Sequence, residues 1–241
     1  MSLENKIEII ELTSEKISSY MQNDWIKDFI ETSYQEIDEE KYYVSDIWLL
    51  KNEAKRTLWD LIYTPQIQME NKSILDVGGG YSVLSKKFAE KNKYTLIDPL
   101  YHEVSRSNQI DLLMKQDQQI RINGDWYSYL SNNEESYDTI VANDVFPNVD
   151  QRFLDFLSIT KQRFSKLILS LTYFDNLNWY LTKRVNLEEH ITVRSWRDID
   201  IFRVISDLYD CSFDQYIVQA KSPDKNLFLN ERKIMICSIE G

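Results

Sequence analysis

One segment constrains the fold of this chain more than any other: Ile74-Leu75-Asp76-Val77-Gly78-Gly79-Gly80-Tyr81-Ser82. Its first four residues suit a buried strand of a parallel sheet, because such strands read as nearly continuous apolar runs. The three glycines then allow the backbone to turn tightly where any Cβ would block a bound ligand. Apolar residues at positions 83, 84 and 88 predict a helix directly after the turn. A strand, a glycine turn and a helix amino terminus in this order predict a nucleotide site.

The glycine pattern and two acidic residues bear on which nucleotide is bound. A dinucleotide fingerprint requires Gly-x-Gly-x-x-Gly, but Val83 stands where the third glycine belongs, which counts against NAD. Asp76, at the strand end, would repel a pyrophosphate and favour a cationic ligand. S-adenosylmethionine is such a ligand, since it carries sulfonium and ammonium groups. Asp98 ends the next predicted strand, at the usual distance for an acid that binds ribose hydroxyls.

Taken together, these features resemble class I S-adenosylmethionine-dependent methyltransferases. Residues 74–82 and Asp98 resemble the family's first motif and its ribose-binding acid. Residues 120–126 resemble the third strand with an acid near the adenine, and residues 137–149 resemble the fourth strand and the loop under the transferred methyl group. The resemblance implies that the following residues bind the cofactor: Asp76, Gly78, Gly79, Gly80, Tyr81, Asp98, Pro99, Asp125, Trp126 and Asn143.

The resemblance also implies an α/β fold, with a Rossmann-like, mostly parallel sheet of seven strands and helices on both faces. The strand order would be 3-2-1-4-5-7-6, with the last strand antiparallel. Apolar residues at helical spacing predict an N-terminal helical cap over residues 1–70, before a methyltransferase domain over residues 71–241. A polar and aromatic insertion at about 172–195 would form a lid. Two antiparallel strands are expected near 213–219 and 233–239.

The charge balance bears on the class of acceptor. The 241 residues include 28 Lys and Arg against 39 Asp and Glu, and the net charge of −11 repels a phosphate backbone. We therefore expect no nucleic-acid partner, and a small-molecule or neutral-to-cationic acceptor. No apolar run reaches the length of a membrane span and no signal peptide is apparent, so we expect no membrane partner and cytoplasmic residence. Cys211 and Cys237 show no metal-ligand spacing.

Histidine and aspartate supply the catalytic candidates. Methyl transfer from a sulfonium is an in-line displacement, so a base is needed only when the acceptor atom carries a proton. Of the two histidines, His102 should lie near the ribose, whereas His190 lies in the insertion over the acceptor. His190 is therefore the candidate general base. Asp144, in the loop under the methyl group, is the second catalytic candidate.

Asp144 also belongs to an alternative arrangement that involves a metal. Catechol-type methyltransferases bind Mg²⁺ with an acid after the fourth strand and an Asp-Asn pair after the fifth, and Asp144 with Asp175 and Asn176 occupies similar places. Asp175, however, follows the apparent strand end by several residues. We therefore predict no metal site, and Mg²⁺ dependence stays the less favoured alternative.

These observations predict methyl transfer from S-adenosylmethionine, with S-adenosylhomocysteine as product, to an oxygen or nitrogen of a small metabolite such as a sugar or sugar precursor. Two alternatives stay open. One is an NAD-dependent oxidoreductase, which Asp76 and the missing third glycine disfavour. The other is a cofactor-binding module without turnover.

Overall fold

The computed structural model describes residues 6–34, 42–183, 190–210, 227–228 and 231–241. Within them lie nine strands: β1 (Lys6–Glu11), β2 (Ser73–Val77), β3 (Lys93–Ile97), β4 (Ile120–Ile122), β5 (Tyr137–Asn143), β6 (Phe164–Tyr173), β7 (Trp179–Lys183), β8 (His190–Arg194) and β9 (Lys233–Glu240). The α-helices are α1 (Ser14–Tyr20), α2 (Trp25–Ser33), α3 (Val44–Lys51), α4 (Glu53–Ile67), α5 (Lys86–Ala89), α6 (Ser107–Gln116), α7 (Trp126–Asn132), α8 (Phe153–Thr160) and α9 (Asp198–Tyr209). None of the described helices has the length and apolarity needed to cross a bilayer.

Seven of the strands form one sheet in the order β1-β9-β6-β5-β2-β3-β4. Strands β2 to β6 are parallel, and β9 runs antiparallel to β6. Strands β2 to β6 are therefore the five parallel strands that the sequence predicts. Strand β9 occupies the place expected for the antiparallel last strand. This arrangement confirms the Rossmann-like fold class.

One edge of the sheet differs from the predicted strand order. The strand expected near 213–219 lies outside the described residues, and the strand found beside β9 is β1, antiparallel to it with Lys6 opposite Glu240. The prediction of helical structure alone in the N-terminal segment was wrong here. The reason is visible in Lys-Ile-Glu-Ile-Ile-Glu, where apolar and charged residues begin by alternating with the period of a strand. From residue 6 onward, the first helix begins at Ser14.

Each face of the sheet is covered by helices, as expected. Ile74 and Val141 share one hydrophobic cluster with residues of the N-terminal helices, including Ile26 and Ile62. Leu75 and neighbouring residues of the opposite face pack with α7, α8 and α9. The N-terminal helices therefore form one outer layer of the sheet, and α3 and α4 reach toward the carboxyl ends of the strands.

The predicted insertion forms a β-hairpin-like pair, in which β7 and β8 are antiparallel strands of a separate two-stranded sheet. The Phe174 amide, directly after β6, donates to the Trp196 carbonyl at 2.8 Å, which fixes the pair beside the end of β6. Within the insertion, the Ser195 amide donates to the Asn178 carbonyl at 2.9 Å. The pair therefore stands beside the carboxyl end of β6. Whether it moves as a lid stays a prediction.

Candidate functional site

A cavity of about 610 Å³ lies at the carboxyl ends of the parallel strands. This is the edge at which open α/β sheets bind ligands. The glycine turn borders it, as do residues that follow β3, β4 and β5, residues of α3 and α4, Tyr180 of β7, and Arg232 before β9. The predicted site residues on its wall are Gly78, Gly79, Gly80, Asp98, Pro99, Asp125, Trp126, Asn143 and Asp144.

The glycine turn needs its glycines for both conformation and space. Gly78 and Gly80 each have φ +70°, a region that residues with a Cβ rarely adopt. A Cβ on Gly78 would also lie 2.6 Å from Cγ2 of Val145. After the turn, the Ser82 side chain accepts from the Leu84 amide and caps a short 3-10 helix that leads into α5. The sequence predicted this strand, turn and helix correctly.

Asp98 is held rigidly at the end of β3. Its Oδ2 accepts from the Gly80 amide at 3.0 Å and its Oδ1 accepts from the Leu100 amide at 2.7 Å. Burial raises the pKa of this carboxyl, while the backbone hydrogen bonds act in the opposite direction. The side chain thus connects the glycine turn to β3 and presents a fixed carboxyl group at the cavity wall.

Asp125 and Trp126 follow β4, and the side chain of Arg152, which was not among the predicted site residues, contacts both. Nη2 of Arg152 donates to Asp125 at 2.6 Å and to Asp150 at 2.6 Å. The hydrogen bond from Arg152 is the main reason that the pKa of Asp125 is lowered. The same guanidinium lies 4.7 Å from the centre of the Trp126 ring. The Trp126 indole N–H donates to Asp150 at 2.8 Å, so this ring is fixed in the core at the cavity edge.

Asn143 and Asp144 lie where β5 ends. The Ser170 hydroxyl donates to Asn143 Oδ1 at 2.7 Å, which orients this amide. Asp144 has a left-handed backbone, φ +57°, and its carboxylate accepts from Thr172 at 3.1 Å and Asn148 at 3.0 Å. It also forms an ion pair with Arg232, with an N–O distance of 3.2 Å. These partners suit Asp144 to a fixed charge rather than to proton removal.

Asp76 lies beneath the glycine turn instead of on the cavity wall. Its carboxyl accepts from the Tyr63 hydroxyl at 3.0 Å and the Tyr94 hydroxyl at 2.8 Å. Burial raises the pKa of Asp76 to about 7. A Cβ on Gly79 would lie 2.1 Å from Asp76 Oδ2, so the carboxyl supports the turn from below. The sequence predicts that this acid faces a cationic ligand, whereas in the structure it is buried against two tyrosine hydroxyls and is not part of the cavity lining.

Two further predicted residues do not line the cavity. Tyr81 is fully buried, with its ring edge-on to Tyr43 at 4.8 Å. His190 is exposed at the start of β8, opposite Lys183. A general base must come within hydrogen-bonding reach of the proton that it removes, and this role of His190 stays a prediction.

The residues of the alternative metal site are engaged with cations of the chain. Lys233 Nζ lies 2.6 Å from Asp175 Oδ1, and Arg232 pairs with Asp144. Across the ranges that the structure describes, no group of three His, Cys, Asp or Glu side chains is placed to bind a metal.

Sequence reasoning did not identify the basic residues on the cavity wall. Lys55, in the first turn of α4, is half-buried, with its Nζ 5.0 Å from the centre of the Trp48 ring. Burial is the main reason that the pKa of Lys55 is lowered. Lys55, Arg152 and Arg232 come from three distant parts of the chain, so no local motif joins them.

Solved structures share this fold at low sequence identity. DhpI in complex with S-adenosylhomocysteine is 10% identical, with a TM-score of 0.51, over 95% of this chain and 99% of that chain. A DhpI complex with S-adenosylmethionine and HEP is 10% identical, with a TM-score of 0.51, over 95% and 98%. The N-terminal domain of EvdMO1, crystallised with S-adenosylhomocysteine and D-fucose, is 11% identical, with a TM-score of 0.50, over 74% and 79%. No protein-family model and no curated protein sequence matches the chain. The chain thus has the fold of class I S-adenosylmethionine-dependent methyltransferases.

Proposed function

We propose that this protein transfers a methyl group from S-adenosylmethionine to an oxygen or nitrogen atom of a small-molecule acceptor, including a sugar or sugar precursor. One observation carries the proposal: a single cavity joins the glycine turn and the buried Asp98 to a polar region above β5 and β6. Its volume of about 610 Å³ is within the range of ligand sites. The bound cofactor or product in the DhpI and EvdMO1 structures supports the same choice of cofactor.

The residues around the glycine turn fit this cofactor. Asp98 would accept hydrogen bonds from the ribose hydroxyls, while Pro99 and Asp125 would border the adenine. Asn143 and the backbone of the turn would border the methionine part. When bound, S-adenosylmethionine supplies a methyl carbon on a positively charged sulfur; transfer leaves the carbon–sulfur electron pair on sulfur and releases a proton if the acceptor atom carried one.

The contribution of the protein is mainly to position the reactants and exclude water. The turn, Asp98 and Asn143 are held by hydrogen bonds within the chain before any ligand binds. Such preorganisation can supply much of the acceleration of an in-line displacement. We assign no residue to proton removal, because Asp144 is ion-paired and His190 is outside the cavity lining.

The topology favours this reaction over NAD-dependent oxidation. In a dinucleotide-binding sheet a sixth parallel strand follows the fifth, whereas β9 beside β6 is antiparallel. The net charge of −11 supports an acceptor other than nucleic acid.

Isothermal titration calorimetry with S-adenosylmethionine, S-adenosylhomocysteine and NAD tests the cofactor. We expect the first two to bind at one site per chain with dissociation constants of about 1–100 μM, and NAD to give no heat of binding. Binding of NAD alone, or of none of the three, would contradict the proposal.

Transfer of a radiolabelled methyl group to a panel of hydroxyl, amine, carboxylate and phosphate compounds tests the reaction. A methylated product together with S-adenosylhomocysteine is expected. Tight cofactor binding with no product from any acceptor class would instead favour the binding module without turnover.

A further inference from the structure

We propose that the acceptor carries an anionic oxygen group, a carboxylate or a phosphate, and that Lys55 and Arg232 bind this group above β5 and β6. The inference rests on the proposed methyl transfer and narrows its acceptor class. It replaces the expectation of a neutral-to-cationic acceptor, which came from the net charge of the whole chain.

The two basic side chains line the cavity together with three polar side chains, those of Asp144, Asn148 and Tyr180. Arg232 Nη1 donates to both oxygens of Asp144 at 3.2 Å. The Asn148 side chain donates to Asp144 at 3.0 Å and accepts from the Tyr180 hydroxyl at 3.3 Å. Lys55 is near enough to Asp144 and Arg232 for both to influence its pKa. Asp144 and Asn148 follow β5 and Arg232 precedes β9, whereas the glycine turn and Asp98 follow β2 and β3.

One cation of this group has no ion pair within the part of the chain that the structure describes. Lys55 and Arg232 are positive, and Asp144 is the negative side chain among the five residues just described. Within the described ranges no carboxylate forms an ion pair with the Lys55 ammonium, whose Nζ lies 5.0 Å from the centre of the Trp48 ring. At the other end of the cavity, Arg152 pairs with both Asp125 and Asp150. Among the Lys and Arg side chains that line the cavity, Lys55 is thus the one for which the described part of the chain supplies no ion pair.

An anionic ligand group would complete this arrangement. Burial of an ammonium group without a charged partner is unfavourable, and a negative charge within about 4 Å would favour the protonated form of Lys55. The arginine adds a planar donor group that suits carboxylates and phosphates. A cationic methyl donor in the same cavity would further increase the attraction for an anion.

The net charge of −11 does not oppose this assignment at close range. Exposed charges are screened over about 8 Å at physiological ionic strength, so distant surface acids contribute little inside the cavity. The nearest side chains decide the local potential. The acidic surface would slow the approach of an anion without preventing its binding.

Saturation-transfer NMR on the protein saturated with S-adenosylhomocysteine tests the inference. The probes are acetate and methyl phosphate, with acetamide and methanol as neutral counterparts, and the methyl protons of each report binding. At least one anion should bind at least about tenfold more tightly than its neutral counterpart, which corresponds to about 1.4 kcal/mol. Acetate and methyl phosphate separate a carboxylate site from a phosphate site. Equal binding of charged and neutral probes, or binding of neither anion, would refute the inference.

Three variants assign the effect to the named residues. Lys55→Met and Arg232→Gln should each weaken anion binding about tenfold, and Lys55→Arg should retain most of it. Lys51→Met removes an exposed lysine outside the cavity lining and should change nothing. Equal anion binding in the Lys55→Met and Lys51→Met proteins would overturn the assignment of Lys55. The assignment of Lys55 to anion binding would also be overturned if Lys55→Met lost turnover but kept unchanged anion binding, because Lys55 would then act in proton transfer.

Calorimetry of S-adenosylhomocysteine separates this inference from the proposed function. The three variants that alter Lys55 or Arg232 should bind the product within about threefold of the parent, which is less than 1 kcal/mol. If the parent binds product but neither anion, only the inference fails. If the parent does not bind product, the proposed function fails as well.

Discussion

Replacement of Asp98 by Asn tests the cofactor site most directly. A hydrogen bond to a charged group contributes about 1.5–3 kcal/mol, and the carboxylate would accept two from the ribose. Because such paired contacts are not additive, we expect a loss of about 3 kcal/mol, or roughly a 100-fold weaker affinity for S-adenosylhomocysteine. In the asparagine variant, the side-chain NH₂ group would also face one of two backbone N–H groups. These are the N–H groups of Gly80 and Leu100, which donate to Asp98 at 3.0 and 2.7 Å in the parent. Loss of one of these backbone hydrogen bonds should lower the free energy of unfolding by about 1–3 kcal/mol.

Calorimetric titration and a thermal unfolding scan of the same preparation separate these effects. Asp138→Asn is the matched control, since this carboxylate also accepts from a backbone amide, that of Ser73 at 2.8 Å. Asp138 lies at the end of β5 opposite to Asn143, roughly 16 Å away along the strand. The control should lose stability but keep its affinity. The ribose assignment is refuted if folded Asp98→Asn binds S-adenosylhomocysteine within about threefold of the parent.

Two further predictions concern buried charges. Arg56 is 4% exposed and pairs with Asp24, which is 11% exposed, so Arg56→Met should cost about 3–5 kcal/mol and lower the unfolding midpoint by about 10 °C. Lys27→Met, which breaks an exposed pair with Glu31, should cost less than about 1 kcal/mol, and equal losses would contradict the argument. Burial raises the pKa of Asp76 to about 7 in the folded protein, against about 4 in the unfolded chain, so the stability from its protonated form is lost as pH rises between these values. The stability of Asp76→Asn relative to the parent should therefore increase by up to about 4 kcal/mol from pH 4 to pH 8 in urea unfolding, and a constant difference would be evidence against the buried acid.

The parts of the site that sequence predicted are those determined by local backbone conformation. Gly78 and Gly80 have left-handed backbones, and Asp98 ends the adjacent parallel strand, so their residue types identify the turn directly. Asp76 shows the limit of this reasoning. Alternate residues of a strand face opposite sides of the sheet, and Asp76 has the parity of Ile74, which packs with the N-terminal helices. Its place at a strand end did not reveal which way it faces.

The acceptor end of the cavity could not be predicted in the same way, because its charges are paired only by the tertiary fold. The counts of 28 basic and 39 acidic residues give a net charge. They do not show that Arg152 faces two carboxylates while Lys55 lies over an aromatic ring. Lys55 reaches the cavity because α4 packs on the sheet, and Arg232 reaches it because β9 lies beside β6. The charge pattern of the cavity wall is therefore a property of the assembled sheet and helices, and it cannot be read from the net charge of the whole chain.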